Sequence, residues 1–158
     1  MDKTQLIAQI IQQLTESLSH ATAAAEEAHK GATHDQSKAE TQYDTLGLEH
    51  AYLAEGQAKR IEELQDQISQ FHHMKVKSYC EDDPIYLGAV VELLNTQTNQ
   101  PLCVFLAPCG GGNHIQLGAR TIQVVSPMSP LTQALLGLYA EDNCKLASGL
   151  SYEILTIH

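Results

Sequence analysis

Through the first thirty residues an apolar side chain recurs at every seventh position: Ile7, Leu14, Ala21 and Ala28, with Ile11, Leu18 and Ala25 four places after the first three. That spacing, held for about three repeats, is the a/d seam of a helix that packs against another helix. The seam narrows from Ile and Leu to Ala, so a partner helix can come closer at its far end. Asp2 or Thr4 can cap the start. The pattern breaks in Lys30-Gly31-Ala32-Thr33-His34-Asp35-Gln36-Ser37-Lys38-Ala39-Glu40 and then resumes. Gly31 weakens the helix before it, and Asp35 or Ser37 can accept hydrogen bonds from the free N–H groups of the helix after it. The stretch near 31–37 reads as the tip of a helical hairpin whose arms are residues 2–30 and 36–73. An arm of roughly 30 residues spans about 45 Å.

The second arm carries Ile61, Leu64, Ile68 and Phe71 near its base, and the small residues Gly47, Ala51 and Ala54 toward the tip. Tyr43, Leu46, Leu48, Tyr52 and Leu53 are more apolar than one narrow seam needs; they either thicken the hairpin core or face a partner. Lys59-Arg60-Ile61-Glu62-Glu63-Leu64 reads as a solvated, ion-paired face.

Charge separates the two parts of the chain. The net charge is −10; residues 1–73 hold twelve acids and five Lys/Arg, residues 74–158 seven and four, and Glu26–Glu55 has seven acids against Lys30 and Lys38. Such a chain lacks the clustered cations that grip a phosphate backbone, so direct sequence-specific nucleic-acid binding is not expected. A basic protein partner fits better. No charged-then-apolar leader opens the sequence, and no apolar run approaches the ~20 residues of a membrane helix. Cys80, Cys103, Cys109 and Cys144 have no CxxC spacing and read as reduced thiols of a cytoplasmic protein.

From residue 74 the pattern becomes that of strands. Met74–Tyr79 alternates, Glu81-Asp82-Asp83-Pro84 is a turn, Leu87–Leu94 and Leu102–Ala107 are apolar strands around the polar turn Asn95–Pro101, and Thr121–Val125 is another strand. Pro108-Cys109-Gly110-Gly111-Gly112-Asn113 reads as a flexible loop. Ser126-Pro127-Met128-Ser129-Pro130 leads into a short amphipathic helix, Leu131–Leu138. Lys145–Ala147 and Tyr152–Ile157 close the sheet. The expected fold is α+β: a helical hairpin over 1–73, then an antiparallel sheet with one short helix over 74–158.

In this order of parts the chain resembles the Gre family of bacterial transcript-cleavage and elongation factors over nearly its whole length. Leu87-Gly88-Ala89-Val90-Val91 resembles the strand that opens the family's C-terminal domain. Val125-Ser126-Pro127-Met128-Ser129-Pro130-Leu131 with Ala134-Leu135-Leu136-Gly137 resembles its Ser-Pro-Leu signature. Ala140-Glu141-Asp142-Asn143 stands at its Gly-Asp turn, and Tyr152-Glu153-Ile154 resembles its closing strand. The resemblance implies an FKBP-like C-terminal domain that docks on core RNA polymerase, with the coiled-coil hairpin entering the secondary channel. Ser126, Pro127, Ser129, Pro130 and Leu131, with Ser37 and Tyr43 at the tip, are then the polymerase-binding residues. The family's tip motif, Asp-x-Ser-Glu-Asn followed by a Tyr, helps hold a second Mg²⁺ at the polymerase active site, a task suited to hard oxygen ligands. Here Asp35 and Ser37 keep their places, Lys38 stands where the second acid is expected, and Glu40 follows two residues later. Asp35 and Glu40 are therefore the candidate catalytic acids, with Asp35 as a Mg²⁺ ligand only in the polymerase complex. The chain is expected to hold no cofactor alone, to be a monomer, and to have no independent activity beyond stimulating the polymerase's own cleavage.

Other readings stay open. The tip can occupy the channel without cleaving, or the architecture can serve another protein partner. A prolyl isomerase needs an aromatic pocket, and Tyr79, Tyr86, Phe105, Tyr139 and Tyr152 are the only rings of the base. A dimerising coiled coil would pair the arms between chains. Gly110-Gly111-Gly112 has no following Lys-Ser/Thr and does not read as a phosphate cradle. Cys103, Cys109 and His114 match no common zinc spacing, and His72-His73 reads as a hinge.

Overall fold

Burial follows the heptad spacing. The computed structural model describes residues 1–33, 46–80 and 82–158, and its first helix, α1, runs Lys3–Thr33. Ile7, Leu14, Ala21 and Ala28 are buried along it, and Ile11, Leu18 and Ala25 are half-buried. Asp2 starts the helix by accepting from the Gln5 N–H at 3.1 Å. The helix continues past Lys30 through Gly31, whose weakening effect of about 1 kcal/mol is not enough to end it. The second helix, α2, runs Leu46–His73. Leu64 and Phe71 are buried on it, Ile61 and Ile68 half-buried, and Arg60 pairs with Glu63 at 3.6 Å on the solvated face.

The chain divides into two compact units. One is helical, Ile11–Ser69. The other joins Met1–Ile10 to Gln70–His158. In this second unit the first turn of α1 is fastened by Lys3, only 7% exposed. Its Nζ donates to the carbonyl oxygens of Lys77 and, at 3.5 Å, Gly88, and stands 4.5 Å from the centre of the Tyr79 ring. Burial pushes the Lys3 amine below its ordinary pKa, and the nearby Lys77 charge adds to the effect.

Six strands follow: β1 Val90–Asn95, β2 Pro101–Leu106, β3 His114–Leu117, β4 Arg120–Val125, β5 Asn143–Lys145 and β6 Ser151–Ile157, with one short helix, α3 Pro130–Leu135, after β4. They form a single sheet in the order β3-β4-β2-β1-β6-β5. The α+β reading therefore holds: long helices first, then a sheet with one short helix. Several details differ from expectation: α3 ends at Leu135 rather than Leu138, and β5 lies at Asn143–Lys145 rather than Lys145–Ala147. Residues 74–80 form no strand; Val76 is 49% exposed and has no sheet face to enter, so the alternation there is surface chemistry. The strand β3 was not expected, because only Ile115 of its four residues is buried. The pair β2–β4 is parallel, Cys103 opposite Ile122 through Leu106 opposite Val125, while the other pairs are antiparallel. The segment between β2 and β4 holds the dozen or so residues that a parallel return requires.

Both sheet faces carry buried apolar residues. On one, Val91, Leu93, Val104, Leu106, Val125, Tyr152 and Ile154 share a core with Ile85, Ala89, Cys144 and Leu135 of α3. On the other, Val90, Phe105, Ile122 and Val124 are fully buried, as strand alternation requires. Leu6, Ile10 and Phe71, also essentially without exposed surface, belong to the same unit.

Candidate protein-docking surface

The Ser-Pro-Leu segment is built as a rigid corner. At the end of β4, Val125 is buried and the chain reverses over Ser126–Ser129, with the Ser129 N–H donating to the Ser126 carbonyl at 3.0 Å. Pro127 takes the second place of this turn, where its fixed φ fits, and Met128 is left 80% exposed. Ser129 caps α3: its backbone is extended (φ −68°, ψ 137°), and its Oγ accepts from the Thr132 N–H at 3.1 Å. Pro130 opens the helix, where a missing N–H costs nothing. Thr132 and Leu135 are fully buried beneath it. At the exit Gly137 takes φ +82°, a left-handed conformation that glycine adopts freely. The Gly137 N–H donates to the Ile85 carbonyl at 2.9 Å, and the Ile85 N–H to the Leu138 carbonyl at 2.8 Å. The helix is thus tied at both ends.

Ser126, Ser129, Pro130 and Leu131 line one open groove of about 560 Å³ with Gly111, Gly112 and Leu146–Ser148. Four of the five base residues expected to touch a partner are brought together there; Pro127 sits in the adjoining turn. The glycine run is not a slack connection. The N–H of Gly112 donates to the Val124 carbonyl at 2.9 Å, and the Asn113 amide donates to the Gly110 carbonyl at 2.8 Å. A Cβ on Gly110 would stand 3.3 Å from the Phe71 ring. Among the described residues, none that lines the groove is aromatic.

The turn at Ala140-Glu141-Asp142-Asn143 closes on β6. The Tyr139 N–H donates to Asp142 Oδ2 at 2.8 Å, the Glu141 N–H to the Ile154 carbonyl at 2.8 Å, and the Ile154 N–H to the Asp142 carbonyl at 2.9 Å. Glu141 takes φ +72°, a strained value for a residue with a Cβ, at the place where the Gre resemblance expects glycine.

The other candidates are dispersed. Cys103 lies opposite Glu92 on β1; burial, helped by the Glu92 carboxylate, pushes its thiol up to about 11, against a smaller pull from Arg120. Burial likewise raises the Cys109 thiol. Among the described residues no group of three or more His, Cys, Asp or Glu side chains could hold a metal ion. Asp35, Ser37, Lys38, Glu40 and Tyr43 lie outside the described residues. On α2, Tyr52 and Leu53 are exposed. Among the described residues no helix is long and apolar enough to cross a membrane. Sequence reasoning missed the Glu92 carboxylate, which takes Arg120 and, at 3.2 Å, His158 on the open sheet surface; these residues are too far apart in the chain for any local pattern to link them.

No family model matches the chain, and no curated protein does. Among solved structures it is similar to GreA factor homolog 1 (Gfh1) of Thermus thermophilus, with 24% identity, 94% of each chain covered and a TM-score of 0.38. It is similar to Gfh1 of Thermus aquaticus with 21% identity, covering 93% of this chain and 92% of that one, at a TM-score of 0.38. It is also similar to the transcription elongation factor GreA/GreB of Nitrosomonas europaea, with 18% identity, 63% of this chain and 90% of that chain covered, and a TM-score of 0.34.

Proposed function

We propose that the chain is a regulator of transcript elongation that binds core RNA polymerase and acts through its secondary channel. One observation carries the reading: the Gre-like run Val125–Leu131 with Ala134–Gly137 is folded as a corner tied at both ends, presenting Met128 outward and gathering Ser126, Ser129, Pro130 and Leu131 on one groove. A preformed surface of this kind loses little conformational freedom on binding. In this reading the helical arms are the lever that enters the channel, and the base is an FKBP-like docking domain. The protein works as a monomer in the cytoplasm, without a cofactor of its own. Asp35 is the acid that reaches the polymerase Mg²⁺, and Glu40 is its companion.

The tip sequence favours a second form of the same role. Lys38 stands at the place of the second acid, and a cation there opposes the capture of a second Mg²⁺. A factor with this tip occupies the channel and alters catalysis with little stimulation of cleavage.

The deciding experiment is binding of the purified chain to core polymerase with a known Gre factor as competitor, followed by transcript cleavage on backtracked complexes. Mutually exclusive binding is expected, with weak cleavage that rises in Lys38→Glu. Absence of binding at micromolar protein, or binding unaffected by the competitor, overturns the reading.

A further inference from the structure

The strand β6 is longer than the strand that covers it. β5 pairs with it only from Ser151 to Glu153, and the turn at Glu141–Asp142 covers Ile154. Beyond that, among the described residues, β6 is paired on one side alone, with Thr156 opposite Glu92 and Ile157 opposite Val91 of β1. The register shifts between Glu92 and Leu93, which pair with Thr156 and Ile154, so Leu155 is the extra residue of a bulge. The N–H of His158 donates to the Val90 carbonyl at 2.8 Å, and the Val90 N–H to the His158 carbonyl at 3.0 Å. Backbone groups alternate in direction along a strand, so the N–H and C=O of Ile157 point to the outer edge.

That edge floors an open groove of about 760 Å³. Leu155 and Ile157 with Tyr139 give it apolar surface, and Asp82 and Glu141 give it two carboxylates. Among the described residues neither carboxylate has a cationic partner. The histidine in the lining, His158, has its Nε2 3.2 Å from Oε1 of Glu92. The groove therefore offers a half-open backbone edge, apolar footing and uncompensated negative charge together.

We propose that the outer edge of β6 over Leu155–Ile157 takes an extended, basic segment of a partner protein as an added strand. Backbone pairing supplies attachment and the side-chain footing supplies selection, the usual division of labour when a peptide extends a sheet. Alternate residues of the segment rest on Tyr139 and Leu155. Its Lys or Arg residues face Asp82 and Glu141. This surface is distinct from the groove beside α3, and its test needs no polymerase.

The test uses the full chain and a fluorescein-labelled octapeptide of alternating Lys and Val, with an alternating Glu and Val octapeptide as control. Saturable binding of the basic peptide alone is expected by anisotropy, with the largest amide shifts at Leu155 and Ile157 in proton–nitrogen correlation spectra. Joint Asp82→Lys and Glu141→Lys substitution is expected to weaken binding about tenfold, and Ile157→Pro to weaken it by removing the outward N–H. The proposal fails if both peptides bind alike, if no saturation is reached at millimolar peptide, or if the charge-reversed chain binds equally well. It also fails if the shifts centre on Gly111–Leu131, or if sedimentation shows that this edge pairs with a second copy of the chain.

Discussion

Gly111 and Ser126 approach so closely that a Cβ on Gly111 would stand 3.0 Å from both the Cβ and the backbone nitrogen of Ser126. The backbone nitrogen cannot swing aside as a flexible side chain would. Gly111→Ala is expected to cost about 1–3 kcal/mol through overpacking, read as a lower urea midpoint with an unchanged slope. Gly56 on α2 is the control: nothing lies within 4 Å of a Cβ there, so Gly56→Ala is expected to be neutral or to stabilise by about 0.5–1 kcal/mol.

Ser129→Ala removes the oxygen that receives the Thr132 N–H. The expected loss is about 1 kcal/mol, read as a fall in Tm. Ser129→Asp keeps an acceptor at the cap and is expected to retain most of the stability. Equal losses in the two variants would show that the serine acts through something other than the cap.

Glu141→Gly separates two properties of one residue. Relief of the left-handed strain is worth about 1–2 kcal/mol, and the added freedom of glycine in the unfolded chain takes back about 0.5–1 kcal/mol. A small net rise in Tm is expected. Binding of the basic octapeptide is expected to weaken, since one of its two carboxylates is gone. Stability and binding moving in the same direction would refute the assignment.

Asp83 gives the pH dependence. The Cys80 N–H donates to its Oδ2 at 3.0 Å and Lys77 lies 3.5 Å from its other oxygen. The Cys80 hydrogen bond first, and then Lys77, hold its carboxyl below the ordinary carboxylate range. A depressed folded-state pKa contributes stability above the unfolded value and loses it as pH falls through the folded value. Asp83→Asn is therefore expected to unfold at a lower urea concentration than the parent near neutral pH. The two midpoints should converge below the carboxylate range. A gap that stays constant with pH would mean the charge is irrelevant.

The legible parts were those with a short repeat. Ile7, Leu14, Ala21 and Ala28 are buried as their spacing requires, because every turn of a helix reports on its own packing. The strands at Val90–Asn95, Pro101–Leu106, Arg120–Val125 and Ser151–Ile157 each carried enough apolar residues to be read singly. What escaped depended on distant parts of the chain. A buried lysine at position 3 cannot be foreseen without knowing that the carbonyls of Lys77 and Gly88 wait for it. The parallel pairing of β2 with β4 leaves no local mark. The glycines at 110–112 suggested slackness, but Gly111 is required by the nearness of Ser126. At the candidate docking surface the sequence marked the residues; the groove they form, and the half-covered edge of β6, emerged only from the fold.

The Lys3 anchor bears on how the protein is made. Its acceptor at Gly88 lies 85 residues farther along the chain. A ribosome adding about 5–20 residues per second leaves the first turn of α1 waiting for some 4 to 17 seconds before that carbonyl exists. All six strands of the sheet are made later still, from Val90 onward. The base therefore cannot close until the residues of β6, Ser151–Ile157, have been added. Over that interval Leu6 and Ile10, fully buried in the finished fold, have no core to enter.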